Sequence, residues 1–335
     1  MRTRTEHPVG SLHLITIDSA ALAGNLLGDP LRRQVHVYTP PGLDDGGGAP
    51  LLVDLVGFTG SGFSHTAWKN FGENVPERVD RLIAEGMPPV CVAFPDCFTR
   101  LGGNQYVNSV VMGRWEDFLI DEMLPAIEAR FRCGGPGRRG VFGKSSGGFG
   151  AIYHAMKHAD TWSAAACHSG DMGFELVYEY DFPNVLRALA KAGGIEPFVR
   201  EFEATDKHDD AAVHALMGLA MAATYDPDPQ AFLGIHLPVD LETCERDDER
   251  WARWLAFDPV RIAADHADAL RSLRGLFIDC GDVDQYNLVY GARRLHRILE
   301  GLDVRHTYEE FADNHSSIDR RMDVSLPLLA RALTS

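Results

Sequence analysis

Ser145 lies in the run Gly143-Lys144-Ser145-Ser146-Gly147-Gly148, straight after the apolar stretch Arg139-Gly140-Val141-Phe142. The residues that follow, Phe149-Gly150-Ala151-Ile152-Tyr153-His154-Ala155-Met156, read as a helix packed on a sheet. Strand, Gly-x-Ser-x-Gly and helix together spell a nucleophile elbow, a turn so sharp that a side chain on either flank would strike the strand or the helix. The serine projects from its tip, and the helix N-terminus behind it favours developing negative charge. Ser145 is therefore the candidate nucleophile. Gly-Lys-Ser also ends a phosphate-binding P-loop, but that motif needs a glycine five residues earlier, where this chain has Arg138. It needs a loop before the lysine as well, and here the strand runs directly into Gly143.

A serine hydroxyl is a poor nucleophile at neutral pH, so it needs a base, and the base needs an orienting carboxylate. In the chain order serine, acid, histidine, the acid falls near Asp279-Cys280-Gly281-Asp282-Val283-Asp284. Asp279 lies inside a strand, whereas Asp282 and Asp284 lie on the loop at its carboxyl end. Spacing puts Asp284 first and Asp282 second, although Asp284 is also placed to cap a helix near Tyr286. Among the 14 histidines, His315 alone follows the last strand and precedes the terminal helix. His154 and His158 stand one helical turn apart without a third ligand, so a structural role is expected for them and no metal.

An oxyanion hole would take one donor from the backbone of Ser146 and the other from the loop Val56-Gly57-Phe58-Thr59-Gly60. Phe58 N–H is the first choice there and Thr59 N–H the second. A partly aromatic mouth for substrate is expected from Phe63, Trp68, Tyr106 and Asn108 with Met172, Phe174, Trp251 and Trp254. Lys144 and His168 join it as substrate-binding candidates. Lys144 has two readings, attraction of an anionic substrate or a salt bridge to a neighbouring acid, and the salt bridge is favoured.

The elements that must hold these residues alternate between β-branched apolar runs and helical patterns, the mark of a mostly parallel sheet covered on both faces. Strands are predicted at His13–Asp18 and Gln34–Thr39, as an antiparallel pair, then at Leu51–Val56, Val90–Phe94, Gly140–Phe142, Ala164–Cys167, Gly275–Cys280 and His306–Phe311. Helices are predicted at Glu77–Glu85, Arg114–Phe131, Gly148–His158, Ile262–Leu273, Tyr286–Glu300 and Ser317–Leu333. Residues 171–257 lack a convincing strand and carry Pro183, Pro197, Pro227, Pro229 and Pro238. They read as a helical cap or lid, inserted into a core formed by residues 1–170 and 258–335, over the sheet edge where α/β folds bind ligands. Asp44-Asp45-Gly46-Gly47-Gly48 reads as an exposed turn.

With 335 residues and 45% apolar content, the chain can bury a substantial core. Its formal charge of −16 argues against nucleic acid and anionic membrane as partners. No run approaches a membrane span, and no apolar stretch follows Met1-Arg2-Thr3-Arg4-Thr5, so a cytoplasmic protein without a signal peptide is expected. The six scattered cysteines are read as buried thiols rather than a disulfide framework.

Several segments resemble the putative-esterase (esterase D-like) family of α/β-hydrolases. They are Gly113-Arg114-Trp115-Glu116-Asp117-Phe118, Glu122-Met123-Leu124-Pro125, the Ser145 elbow, His168-Ser169-Gly170, Cys280-Gly281-Asp282-Val283-Asp284 and Asn314-His315-Ser316. The resemblance implies an α/β-hydrolase fold, no cofactor, and a small-molecule ester substrate cleaved through an acyl-enzyme. Small to medium acyl or aryl esters are the expectation. It puts nucleophile, acid and base on Ser145, Asp284 and His315, favouring Asp284 over Asp282. A thioesterase of the S-formylglutathione hydrolase type and an acyltransferase would use the same three residues, a non-catalytic binding protein is disfavoured, and a homo-oligomer is left open. The chain departs from the family in two places: Val56-Gly57 replaces the usual His-Gly after the third strand, and Lys144 replaces the commoner His or Asn beside the nucleophile.

Overall fold

The computed structural model describes residues 6–43 and 47–335; Met1–Thr5 and the Asp44-Asp45-Gly46 part of the expected turn lie outside them. The main sheet has eight strands: β1 (Ser11–Asp18), β2 (Arg32–Thr39), β3 (Leu51–Leu55), β4 (Cys91–Pro95), β5 (Arg139–Lys144), β6 (Ala164–His168), β7 (Gly275–Gly281) and β8 (Thr307–Phe311). Their spatial order is β1-β2-β4-β3-β5-β6-β7-β8. The β1–β2 and β2–β4 pairs are antiparallel and the remaining pairs parallel, the mostly parallel sheet that the strand pattern implied, in the α/β-hydrolase arrangement that the resemblance implied.

Alternation along β3 shows why the sheet is covered on both sides. Leu51, Val53 and Leu55 enter one apolar core and Leu52 the other, so a run apolar at nearly every position is buried on both faces. The smaller core holds α2 (Val75–Ala84) and α10 (Met322–Thr334), through Val75, Val79, Leu82, Leu326 and Leu329. The larger core holds α3 (Leu124–Phe131), α4 (Ser146–Lys157) and α9 (Leu288–Gly301). The predicted helix Arg114–Phe131 is present with a change of register: Phe118–Met123 is a π-helical turn just ahead of Pro125, which has no N–H to offer the ladder. Its apolar stripe, Leu119, Met123, Ile127 and Phe131, is buried. The predicted helix Ile262–Leu273 is instead three pieces, because Pro259 starts a turn at Asp258 and the chain tightens to a 3₁₀ turn at Ala263–His266 before Ala267–Ser272.

Between β6 and the Pro259 turn the chain is helical, with α5 (Phe182–Ala192), α6 (Ile195–Glu203), α7 (Asp210–Tyr225) and α8 (Asp248–Leu255). Pro183 and Pro197 sit in first turns, where a missing N–H costs nothing, while Pro227 and Pro229 follow the end of α7. The two ends of this segment are tied together by Asp258, whose carboxylate oxygens accept from Gly173 N–H and Phe174 N–H, both at 2.9 Å. Its interior is an aromatic cluster in which Trp254 stands edge-on to Tyr178 and Phe182 at 5.8 Å. All six cysteines are free, five of them buried. Among the described residues, no helix is long and apolar enough to cross a membrane.

Candidate functional site

The parallel registers align the carboxyl ends of three strands: Leu55 of β3 faces Gly143 of β5, and Lys144 faces His168 of β6. Ser145 follows β5 with φ 57° and ψ −124°, a strained backbone for a residue with a Cβ. The strain persists because the flanks leave no room to relax: a Cβ on Gly143 would come within 2.4 Å of Leu55 O, and one on Gly147 within 1.8 Å of it. Ser145 N–H donates to His168 O at 3.0 Å, and Ser145 O accepts from Phe149 N–H at 2.8 Å, which clamps the turn between β6 and α4.

His315 follows β8. Its Nδ1 lies 2.8 Å from Asp284 Oδ2, and its backbone N–H donates to Gln285 Oε1 at 3.0 Å. The edge-to-face ring of Tyr286, with centroids 4.8 Å apart, closes its other side. Asp284 is buried and Asp282 exposed. Of the competing aspartates, only Asp284 engages the imidazole. Asp279 instead accepts from His168 Nδ1 and Arg321 Nε, each at 2.7 Å, a buried network tying β6 and β7 to the C-terminal region.

Ser145 and His315 line one cleft of about 640 Å³, together with Gly57, Phe58, Lys144 and Asp171. A Cβ on Gly57 would meet Ser145 Cβ at 3.4 Å, so the loop after β3 rests against the elbow. Thr59 N–H is committed to Gly102 O at 2.7 Å, whereas neither Phe58 N–H nor Ser146 N–H has an acceptor among the described residues. The Ser146 hydroxyl turns inward, 3.3 Å from Asp171 Oδ2. That carboxylate also accepts from Tyr178 OH at 3.0 Å and Gln105 Nε2 at 3.1 Å, and burial pushes its pKa up despite these donors.

Of the substrate-binding candidates, Lys144 alone lines the cleft. Tyr106 is buried with its hydroxyl on Val56 O at 2.6 Å, supporting the loop after β3 from beneath. Asn108 is exposed and bonds Asp117 at 2.7 Å; Trp68 is exposed away from the lining. His168 is consumed by Asp279 and by Ser325 Oγ, 2.9 Å away, and Met172 is buried core. Phe174, Trp251 and Trp254 are likewise core, so the expected aromatic mouth is made by other residues: Tyr178, Tyr180, Phe182 and Tyr286 beside Leu176, Val185 and Met217. Helical period alone does not separate the face of an aromatic helix that meets the core from the face that meets a cleft. His154 is buried on Tyr106 O at 2.7 Å and its pKa falls to about 4 through desolvation, as suits a neutral structural imidazole. Among the described residues, no group of three ligating side chains stands where a metal could bind.

A further pair escaped the sequence reading. His65, on α1 (Gly62–Thr66), lines the cleft with Nδ1 2.6 Å from Oδ2 of the fully buried Asp54. Burial pulls the His65 pKa down, but the Asp54 carboxylate outweighs it and the net shift is upward. The signal was an aspartate inside Leu51-Leu52-Val53-Asp54-Leu55, because a charge in a strand buried on both faces requires a partner.

A putative-esterase family model matches residues 30–287 of the chain. Esterase Rv1288 of Mycobacterium tuberculosis is 39% identical over 112 residues, which are 32% of this chain and 24% of that protein; the chain thus matches about a quarter of this curated relative's length. Among solved structures, a ferulic acid esterase superposes with a TM-score of 0.61 at 18% identity, covering 97% of this chain and 99% of its own. An S-formylglutathione hydrolase from Agrobacterium tumefaciens gives 0.60 at 16% identity, covering 99% and 98%. The fold is common to all of these structures, and the chain belongs to the putative-esterase family.

Proposed function

We propose that this protein is a serine hydrolase of carboxylic esters, with Ser145 as nucleophile, His315 as base and Asp284 as the orienting acid. The observation that carries this reading is the convergence of a strained serine and an aspartate-bound histidine on one cleft, from loops after three different strands. His315 Nε2 takes the Ser145 proton as the oxygen attacks the ester carbonyl, and Asp284 stabilises the imidazolium. The backbone N–H groups of Phe58 and Ser146 receive the tetrahedral oxyanion. His315 then protonates the leaving alcohol, and water repeats the cycle on the acyl-enzyme to release the acid.

The helical segment 171–257 acts in this reading as a cap, since Tyr178, Tyr180, Phe182, Val185 and Met217 wall the cleft. A cleft of about 640 Å³ with that lining suits small to medium acyl or aryl esters. Hydrolysis of p-nitrophenyl acetate tests the assignment. Ser145→Ala is expected to lower kcat on the order of 10⁶-fold, and a variant that keeps its activity would refute it.

A further inference from the structure

Lys144 stands immediately before the nucleophile and lines the same cleft. The salt bridge expected for it is not formed: no carboxylate oxygen lies within 4.0 Å of Lys144 Nζ among the described residues. The neighbouring acids are engaged elsewhere. Asp319 pairs with Lys69, Asp54 with His65, and Asp284 with His315. Lys144 is thus a half-buried cation drawn towards Asp319 and Asp284 but contacting neither, and burial lowers its pKa.

His65 supports the same reading from across the loop. Asp54 holds Nδ1, which leaves Nε2 for the cleft that His65 lines, and the Asp54 carboxylate favours the imidazolium. Asp319 contacts Lys69 and also feels the charges of His65 and Lys144, while Asp54 pairs with His65. A half-buried ammonium without a paired carboxylate lacks the counter-charge that its burial calls for.

We propose that Lys144, with His65 beside it, binds a carboxylate carried by the ester substrate within a few bonds of the scissile carbonyl. The proposal rests on the ester-hydrolase reading and narrows it to anionic esters, in which the substrate supplies the counter-charge that the protein withholds. A charge-assisted contact of this kind is expected to favour the anionic ester about tenfold to a hundredfold.

Two matched pairs test it: monomethyl glutarate against methyl pentanoate, with the carboxylate on the acyl side, and O-acetylglycolate against propyl acetate, with it on the alcohol side. The readout is the anionic-to-neutral ratio of kcat/KM. Lys144→Met is expected to lower that ratio about tenfold or more in at least one pair, and Lys144→Arg to preserve it. A ratio unmoved in both pairs overturns the proposal, as does an equal loss on anionic and neutral esters. If wild type turns over none of the four esters, p-nitrophenyl acetate hydrolysis decides the hydrolase reading, and calorimetric binding of glutarate to Ser145→Ala protein decides the Lys144 site separately. Binding abolished by adding Lys144→Met supports the site; no binding, or binding indifferent to that change, overturns it.

Discussion

His315 Nδ1 meets Asp284 Oδ2 at 2.8 Å while the other oxygen of the same carboxylate accepts from Tyr286 N–H at 2.9 Å. With both oxygens engaged the carboxylate has no free rotation, so it fixes the imidazole with Nδ1–H inward and Nε2 free for a proton. The helix cap that the spacing also offered is not formed, since α9 begins at Leu288 with Asn287 at its N-cap; Asp284 Oδ1 closes a local turn onto Tyr286 N–H instead. Asp284→Asn is expected to lower kcat on p-nitrophenyl acetate about 10⁴-fold, because an amide can hold the wrong tautomer. A loss below tenfold in steady-state assays would mean that His315 works without its partner.

The elbow depends on backbone approaching backbone. A Cβ on Gly147 would sit 1.8 Å from Leu55 O, a contact no side-chain movement relieves. Gly147→Ala is therefore expected to cost about 3 kcal/mol or more, read as a lowered urea midpoint. An unchanged midpoint would show that β3 and α4 can separate without penalty.

Asp171 titrates above its ordinary value of 3.8 because burial disfavours its charge. Between the unfolded value and the raised folded one, the native state holds the extra proton, so this group lowers stability as pH rises through that window. Asp171→Asn removes the effect. The melting temperature of the variant relative to wild type should climb from about pH 4 upward and then level off; a difference independent of pH contradicts the shift.

His65 should carry its charge to higher pH than an ordinary histidine, since the Asp54 carboxylate outweighs the burial that opposes it. Its contribution to stability is complete below the unfolded value of 6.5 and fades as pH rises through the folded one. A ring-proton NMR titration is expected to give a midpoint above 6.5 for His65, and Asp54→Asn to bring it down. A midpoint at or below the ordinary value would contradict this.

Much of this architecture was legible because it is written in local patterns. Strands such as Leu51–Leu55 and Ala164–His168 are short apolar runs between turn signals, and Gly143, Gly147 and Gly148 mark the elbow by excluding side chains. Asp284 and His315 were singled out as candidates by their place after a strand, a topological signal that needs no contact map. Tyr106, His168 and Met172 misled because a polar or aromatic residue near a strand end can face either the core or the cleft. Here partners distant in sequence decide: Val56 O for the Tyr106 hydroxyl, and Asp279 with Ser325 for His168. The freedom of Lys144 was hidden for the same reason, since Lys69 takes Asp319 from 250 residues away.

The central claim is that Ser145 is the residue that becomes covalently bonded during turnover. Treatment with a fluorophosphonate followed by peptide mass mapping tests it most directly. A single phosphonyl adduct on the peptide bearing Ser145, slowed by His315→Ala and abolished by Ser145→Ala, is the predicted result. An unlabelled protein that still cleaves esters, or an adduct on any other residue with Ser145 unmodified, would contradict it.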